Sequence, residues 1–178
     1  NGDISAWDTS SVTNMSNMFN AAAVFNQPIN AWDTSSVTNM NSMFSACIKF
    51  NQDISSWDVS KITNMSYTFF RANFFNQPIG SWNTSSVNNM QGTFWQAYAF
   101  KQSLAGWSLL GINATSDLNL FLASADLSTA NYDATLISWA AQTPLLNGLT
   151  PNFGNSQYTL GGTAEAARNT LINTYGWT

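Results

Sequence analysis

Residues 26–50 read NQPINAWDTSSVTNMNSMFSACIKF, and the same pattern occupies 1–25, 51–75 and 76–100 without insertion or deletion. An eroded fifth copy runs from Lys101 to about Ala125, where Thr115 stands in the place of a Met and Asn119 in that of a Phe. Self-similarity at such a period marks coils that bury their apolar side only against their neighbours. A strict period also stacks equivalent residues into columns, roughly 4.8 Å apart where backbones pair as strands do.

Several columns are apolar. Ile4, Ile29, Ile54, Ile79 and Leu104 form one, and Trp7, Trp32, Trp57, Trp82 and Trp107 form another that is complete in all five copies. Met15, Phe19 and Phe25 and their equivalents supply the rest, and stacked aromatic columns of this kind predict a core spine. Within a unit the apolar positions 15, 18, 19 and 22 have helical spacing, so the pattern predicts a short helix over 14–22, capped by Asn14 or Thr13. Residues 4–8 and 12–14 are the two candidates for a short strand. Each coil then reads as short strand, turn and short helix. The expected fold is α/β, a leucine-rich-repeat solenoid of five 25-residue coils.

Beyond Trp107 the pattern decays into a cap. Residues 128–142 read as an amphipathic helix with Tyr132, Leu136, Ile137 and Trp139 apolar, and 143–162 as a loop rich in Gly, Pro, Asn and Thr. Residues 163–175 predict a second helix with Thr163 as N-cap and Gly176 as its stop. The expected layout is one domain, with the coil stack over 1–125 and the cap over 126–178. No comparable cap precedes the first coil, and the chain reads as a piece of something longer.

The unit FNQ-[DP]-I-x-x-W-[DN]-[TV]-S-x-[VI]-[TN]-N-M-x-x-[MT]-F-x-x-[AC] resembles the BspA-like leucine-rich-repeat surface proteins, relatives of the Treponema pallidum type repeats. The segments NYDATLISW and NSQYTLGGTAEAARNTLINTYGWT resemble the end of such arrays. The resemblance implies a bacterial cell-surface or secreted adhesin, extracellular and engaged in cell–cell or host contact. It implies no particular ligand.

Composition restricts the chemistry. The chain has no His, so the commonest general base, triad partner and zinc ligand is missing. Neither a phosphate loop nor a dinucleotide fingerprint occurs, and the chain reads as no enzyme. Five Lys and Arg against nine Asp and Glu argue against a nucleic-acid partner. No apolar run is long enough for a membrane span. The single cysteine, Cys47, shares a column with Ala22, Ala72 and Ala97 and reads as a small core residue.

Two sets of residues are candidates for a site. Asp8, Asp33 and Asp58 stack in successive coils, with Asn83 next. Each either caps its own turn through an Asx-type bond or contributes to a calcium site built from carboxylates and carbonyls. No cofactor is otherwise expected. The second set comes from the variable columns. Where the first two coils carry small or polar residues, the third and fourth carry Tyr67, Phe70, Phe74, Trp95 and Tyr98, off the core periodicity. Clustered exposed aromatics mark contact sites; the same rings under the 143–162 loop would be a satellite core instead. The leading expectation is a non-catalytic adhesion module whose partner is a protein or another copy of itself. A carbohydrate-binding module using the rings as stacking platforms is the alternative. An ice- or surface-binding array built on the Thr9, Thr34 and Thr84 column, and a structural spacer, are the remaining ones.

Overall fold

The structure, a computed structural model, describes residues 2–113 and 118–178. It overturns the α/β leucine-rich-repeat expectation. Among the described residues there are only two helices, α1 (Thr129–Ala140) and α2 (Thr163–Tyr175), and no strand. The coils are built from turns. Their strand-like pairing amounts to single parallel bridges joining Asn14 to Asn39, Asn39 to Asn64, and Asn64 to Asn89. Neither 4–8 nor 12–14 forms a strand, and 14–22 forms no helix.

The third coil shows why. Thr68, Phe70, Ala72 and Phe75 donate their N–H to the carbonyls of Met65, Tyr67, Phe69 and Ala72, closing consecutive three-residue turns. The N–H groups between them, on Met65, Tyr67, Phe69 and Arg71, donate instead to Asn89, Gln91, Thr93 and Trp95 of the next coil at 2.8–2.9 Å. An α-helix would need both sets to bond four residues back along the same chain. Left-handed φ angles of 56° at Tyr67 and Arg71 redirect the backbone at each turn. Asn17 and Ala21, Ser42 and Ala46, and Gly92 and Gln96 repeat the feature in the other coils. Turns closing every third or fourth residue bury positions 15, 19 and 22 just as a helix would, so the apolar spacing is the same.

The side chains enclosed by these turns stack as the columns require. Phe19, Phe44, Phe69 and Phe94 follow one another at 5.5–5.7 Å between ring centres. Each also lies on the Phe six residues later, as Phe44 does on Phe50 at 4.0 Å. The indole Nε1 of Trp57 donates to the carbonyl of Ile29 in the preceding coil at 3.1 Å, and Trp32, Trp82 and Trp107 do the same to Ile4, Ile54 and Ile79. The column thus fastens coil to coil as well as filling the core. Four of its five tryptophans are buried, but Trp7 is 56% exposed, because no described residue covers its outer face. A continuous core of all five was expected, and the first coil departs from it.

The fifth coil is shifted rather than eroded. Left-handed φ recurs at Leu120 and Ser124, 28 residues after Gly92 and Gln96. The turn from Leu118 to Phe121 likewise matches that from Met90 to Thr93. Leu118 and Leu122, both fully buried, therefore occupy the Met and Phe columns. Thr115, assigned to the Met column from sequence, lies outside the described residues, and Asn119 accepts an inter-coil bond from Gly92 instead of filling the Phe column.

α1 closes the far end as a sixth coil would. Trp139 extends the tryptophan column, its Nε1 donating to the carbonyl of Leu104 at 3.1 Å. Gln142 donates to Trp107 and accepts from the N–H of Leu109, both at 2.8 Å. Asn131 donates to Lys101, and Ser138 to Ala105. The helix needs side chains for this because its own N–H and C=O groups are used internally. Ser128 caps it, and Ile137 stays exposed. α2 starts from Gly162 rather than from a Thr163 cap, with Gly161 donating to Glu165. It ends at Gly176, whose φ of 66° permits the closing bonds.

Candidate functional site

Tyr67 and Phe70 belong to the third coil and Trp95 to the fourth, all on turn positions whose side chains point away from the Phe spine. Phe70 and Trp95 occupy the same position in adjacent coils, and their rings stack with centres 4.6 Å apart. Tyr67 meets Phe70 edge-on at 6.2 Å. The three are half-buried and form one continuous aromatic surface. Phe74 and Tyr98 are more open, at 52% and 55%, and no ring contact among the described residues joins them to the trio. Phe74 lies under the ammonium of Lys49, 4.3 Å from the ring centre. The 143–162 segment directs Phe153 onto Tyr132 and Trp139 instead.

Gly92 is the residue that sequence reasoning missed. It follows Tyr67 in the same column, and a Cβ there would lie 2.6 Å from the Tyr67 ring. The missing side chain is the seat on which Tyr67 rests. The column Asn17, Ser42, Tyr67, Gly92 carries the signal, a largest residue followed by none.

The aspartate column is engaged by its own turns. Asp8, Asp33 and Asp58 each accept the N–H of the serine two residues on, at 3.1, 2.9 and 2.9 Å. The serine hydroxyl and then its N–H hold all three carboxyls below the usual carboxylate range; at Asp33 the neighbouring Asp58 and Asp8 work against this. Asn83 makes the same bond to Ser85 at 3.2 Å, so a neutral amide serves the turn equally well. Among the described residues, no group of three acidic, Cys or His side chains is arranged to hold a metal.

Two further columns are occupied internally. Thr9, Thr34 and Thr84 are buried, and their hydroxyls donate to the carbonyls of Asp33, Asp58 and Ser108 in the next coil at 2.9–3.0 Å. That column offers no hydroxyl array to a surface. Cys47 is fully buried, its thiol donates to the Ala22 carbonyl at 3.2 Å, and burial pushes its pKa up to about 12. Such a thiol is no nucleophile. A cavity of about 150 Å³ lies between α1 and α2, lined by Tyr132, Leu136, Phe153, Arg168 and Trp177 among others. Among the described residues, no helix is long and apolar enough to cross a membrane.

A family model described as "Mycoplasma protein of unknown function, DUF285" matches residues 1–107, that is, the first four coils and the fifth as far as its tryptophan. No curated protein and no solved structure matches the chain. With the match covering more than half of the chain, the chain belongs to the DUF285 family.

Proposed function

We propose that this chain is a non-catalytic adhesion module that grips a protein partner through the Tyr67, Phe70 and Trp95 surface. One observation carries the reading. The first four coils repeat one backbone course, yet the third and fourth alone build a joined ring cluster, at positions where the first two carry Asn and Ser. Aromatic clusters partly exposed and rigidly held supply a large share of contact energy at little entropic cost. The resemblance to BspA-like surface proteins supports an extracellular, cell-surface setting, as does a polar surface of Asn, Ser and Thr with only 8% charged residues. A glycan reading fits less well, because Phe70 and Trp95 turn ring faces toward each other that a sugar would need.

The test is a double variant, Phe70→Ser with Trp95→Gln, on the full chain. Beads coated with the parent should adhere to bacterial or host cells, and protease treatment of those cells should abolish adhesion. The variant should melt within a few degrees of the parent and lose adhesion at least tenfold. Unchanged adhesion by a folded variant would remove this surface from consideration. Loss on periodate rather than protease treatment would move the reading to glycans.

A further inference from the structure

Charge is divided between the two halves of the repeat. In the first four coils the carboxylates are Asp3, Asp8, Asp33, Asp53 and Asp58, and all lie before the Thr-Asn-Met segment of their coil. The other half, residues 13–25, 38–50, 63–75 and 88–100, contains no Asp or Glu in any coil. It contains the cations Lys49 and Arg71 and all five of the aromatic residues off the core pattern. Lys49 stands where the other coils carry Val24, Phe74 and Ala99, and Arg71 where they carry Ala21, Ala46 and Gln96, so the coil itself requires neither charge. Arg71 follows Phe70 directly, and its N–H donates to the carbonyl of Trp95 at 2.9 Å, which fixes its backbone beside the stacked pair. The Lys49 ammonium lies 4.3 Å from the centre of the Phe74 ring. Both cations are exposed. On a chain of net charge −4, the aromatic half is thus the cationic one.

Taking the Tyr67, Phe70 and Trp95 surface as the partner-binding face, a reading on which this inference rests, we propose that the partner is a protein segment carrying Asp or Glu around a large apolar side chain. The apolar side chain meets the joined rings. The carboxylates meet Arg71 beside those rings and Lys49 one coil back. Guanidinium and ammonium groups make charge-assisted bonds to carboxylates, and the planar fork of Arg matches both carboxylate oxygens. Charges at the rim of an apolar patch act mainly on partner choice and association rate, so the rings hold and the cations select. Polyanions complement this face less well. Anionic lipid surfaces and nucleic acids are gripped by clusters of about four or more Lys and Arg, whereas here there are Lys49 and Arg71 alone.

The experiment uses the full chain and short labelled peptides that share the same pair of Trp and differ only in carrying Glu, Gln or Lys around them. By fluorescence polarisation the Glu peptide should bind at least about tenfold tighter than the Lys peptide. Raising NaCl from about 50 to about 500 mM should remove most of that difference. Lys49→Glu with Arg71→Glu should abolish the preference. Lys49→Ala with Arg71→Gln installs the residues of the fourth coil, Ala99 and Gln96. It should melt within a few degrees of the parent and bind the Glu peptide several-fold more weakly. Lys61→Glu with Lys101→Glu makes the same change in net charge on the other half of the repeat and should leave the preference intact. Equal binding by the three peptides, absence of binding included, would overturn the proposal. So would a preference that survives both Lys49 and Arg71 pairs or falls equally in the Lys61 and Lys101 pair. Adhesion to cells separates this proposal from the reading beneath it. Adhesion lost by Phe70→Ser with Trp95→Gln but kept by Lys49→Ala with Arg71→Gln retains the surface and rejects the acidic partner; adhesion kept by both rejects the surface itself.

Discussion

Tyr67 and Gly92 show how a single column can set a surface. Asn17, Ser42 and Tyr67 all adopt left-handed φ between 54° and 58°, so the backbone there does not demand glycine. What demands it is the ring above. Gly92→Ala should therefore cost about 1–3 kcal/mol, combining the left-handed penalty with displacement of the ring. Adding Tyr67→Ser, which matches Ser42 in the second coil, should recover at least half of that cost. A double-mutant cycle by urea unfolding measures the coupling; strictly additive costs would mean that the ring does not rest on Gly92. The five aromatics off the core pattern were legible from the sequence because columns expose exceptions. Their division into a joined trio and two separate rings was not, since it depends on rotamers and on one missing Cβ.

At the scale of the turn, the segments that begin at Asp8, Asp33 and Asp58 hold their carboxylates by serine donors. Folded-state pKa values lowered at Asp3, Asp8, Asp33, Asp53 and Asp58 mean that the folded chain favours the charged form. The stability this contributes is fully present above the unfolded carboxyl pKa of about 3.9 and is lost as pH falls through the lower folded values. Melting temperature should be level from about pH 5 to 7 and decline below about pH 4. The triple variant Asp8→Asn, Asp33→Asn, Asp58→Asn should fold, by the example of Asn83, and decline less steeply. Chelator and added calcium should leave both melting curves unchanged; a shift with calcium would restore the metal reading. The sequence revealed that these turns exist and that α1 and α2 follow them. It hid the absence of strands and coil helices, because apolar spacing of three and four is common to a helix and to a ladder of turns. Left-handed residues would have separated the two, but Ala21, Ala46, Arg71 and Gln96 carry that conformation without a glycine to announce it. The offset of 28 rather than 25 residues between Gly92 and Leu120 concealed the later turns of the fifth coil in the same way.

For the whole molecule the stack should behave as a row of near-neighbour contacts. Trp57, at 4% exposure and fastened to Ile29, has coils on both sides, so Trp57→Ala should cost about 3–5 kcal/mol through the cavity it leaves. Among the described residues Trp7 stacks on Trp32 alone, with ring centres 6.1 Å apart, and Trp7→Ala should cost about 1 kcal/mol, the order of one ring pair. Urea titration of both variants checks the contrast, and equal costs would mean that the first coil is as enclosed as the third.

The bonding between coils also determines how the molecule carries tension. Pulled along its length, the stack is loaded coil by coil, and each coil that peels pays out 25 residues, about 85 Å of contour at roughly 3.4 Å each. The Phe70 and Trp95 rings stack across the seam between the third and fourth coils. A partner held there grips the seam and not either coil alone, so its hold lasts only while those two coils stay joined.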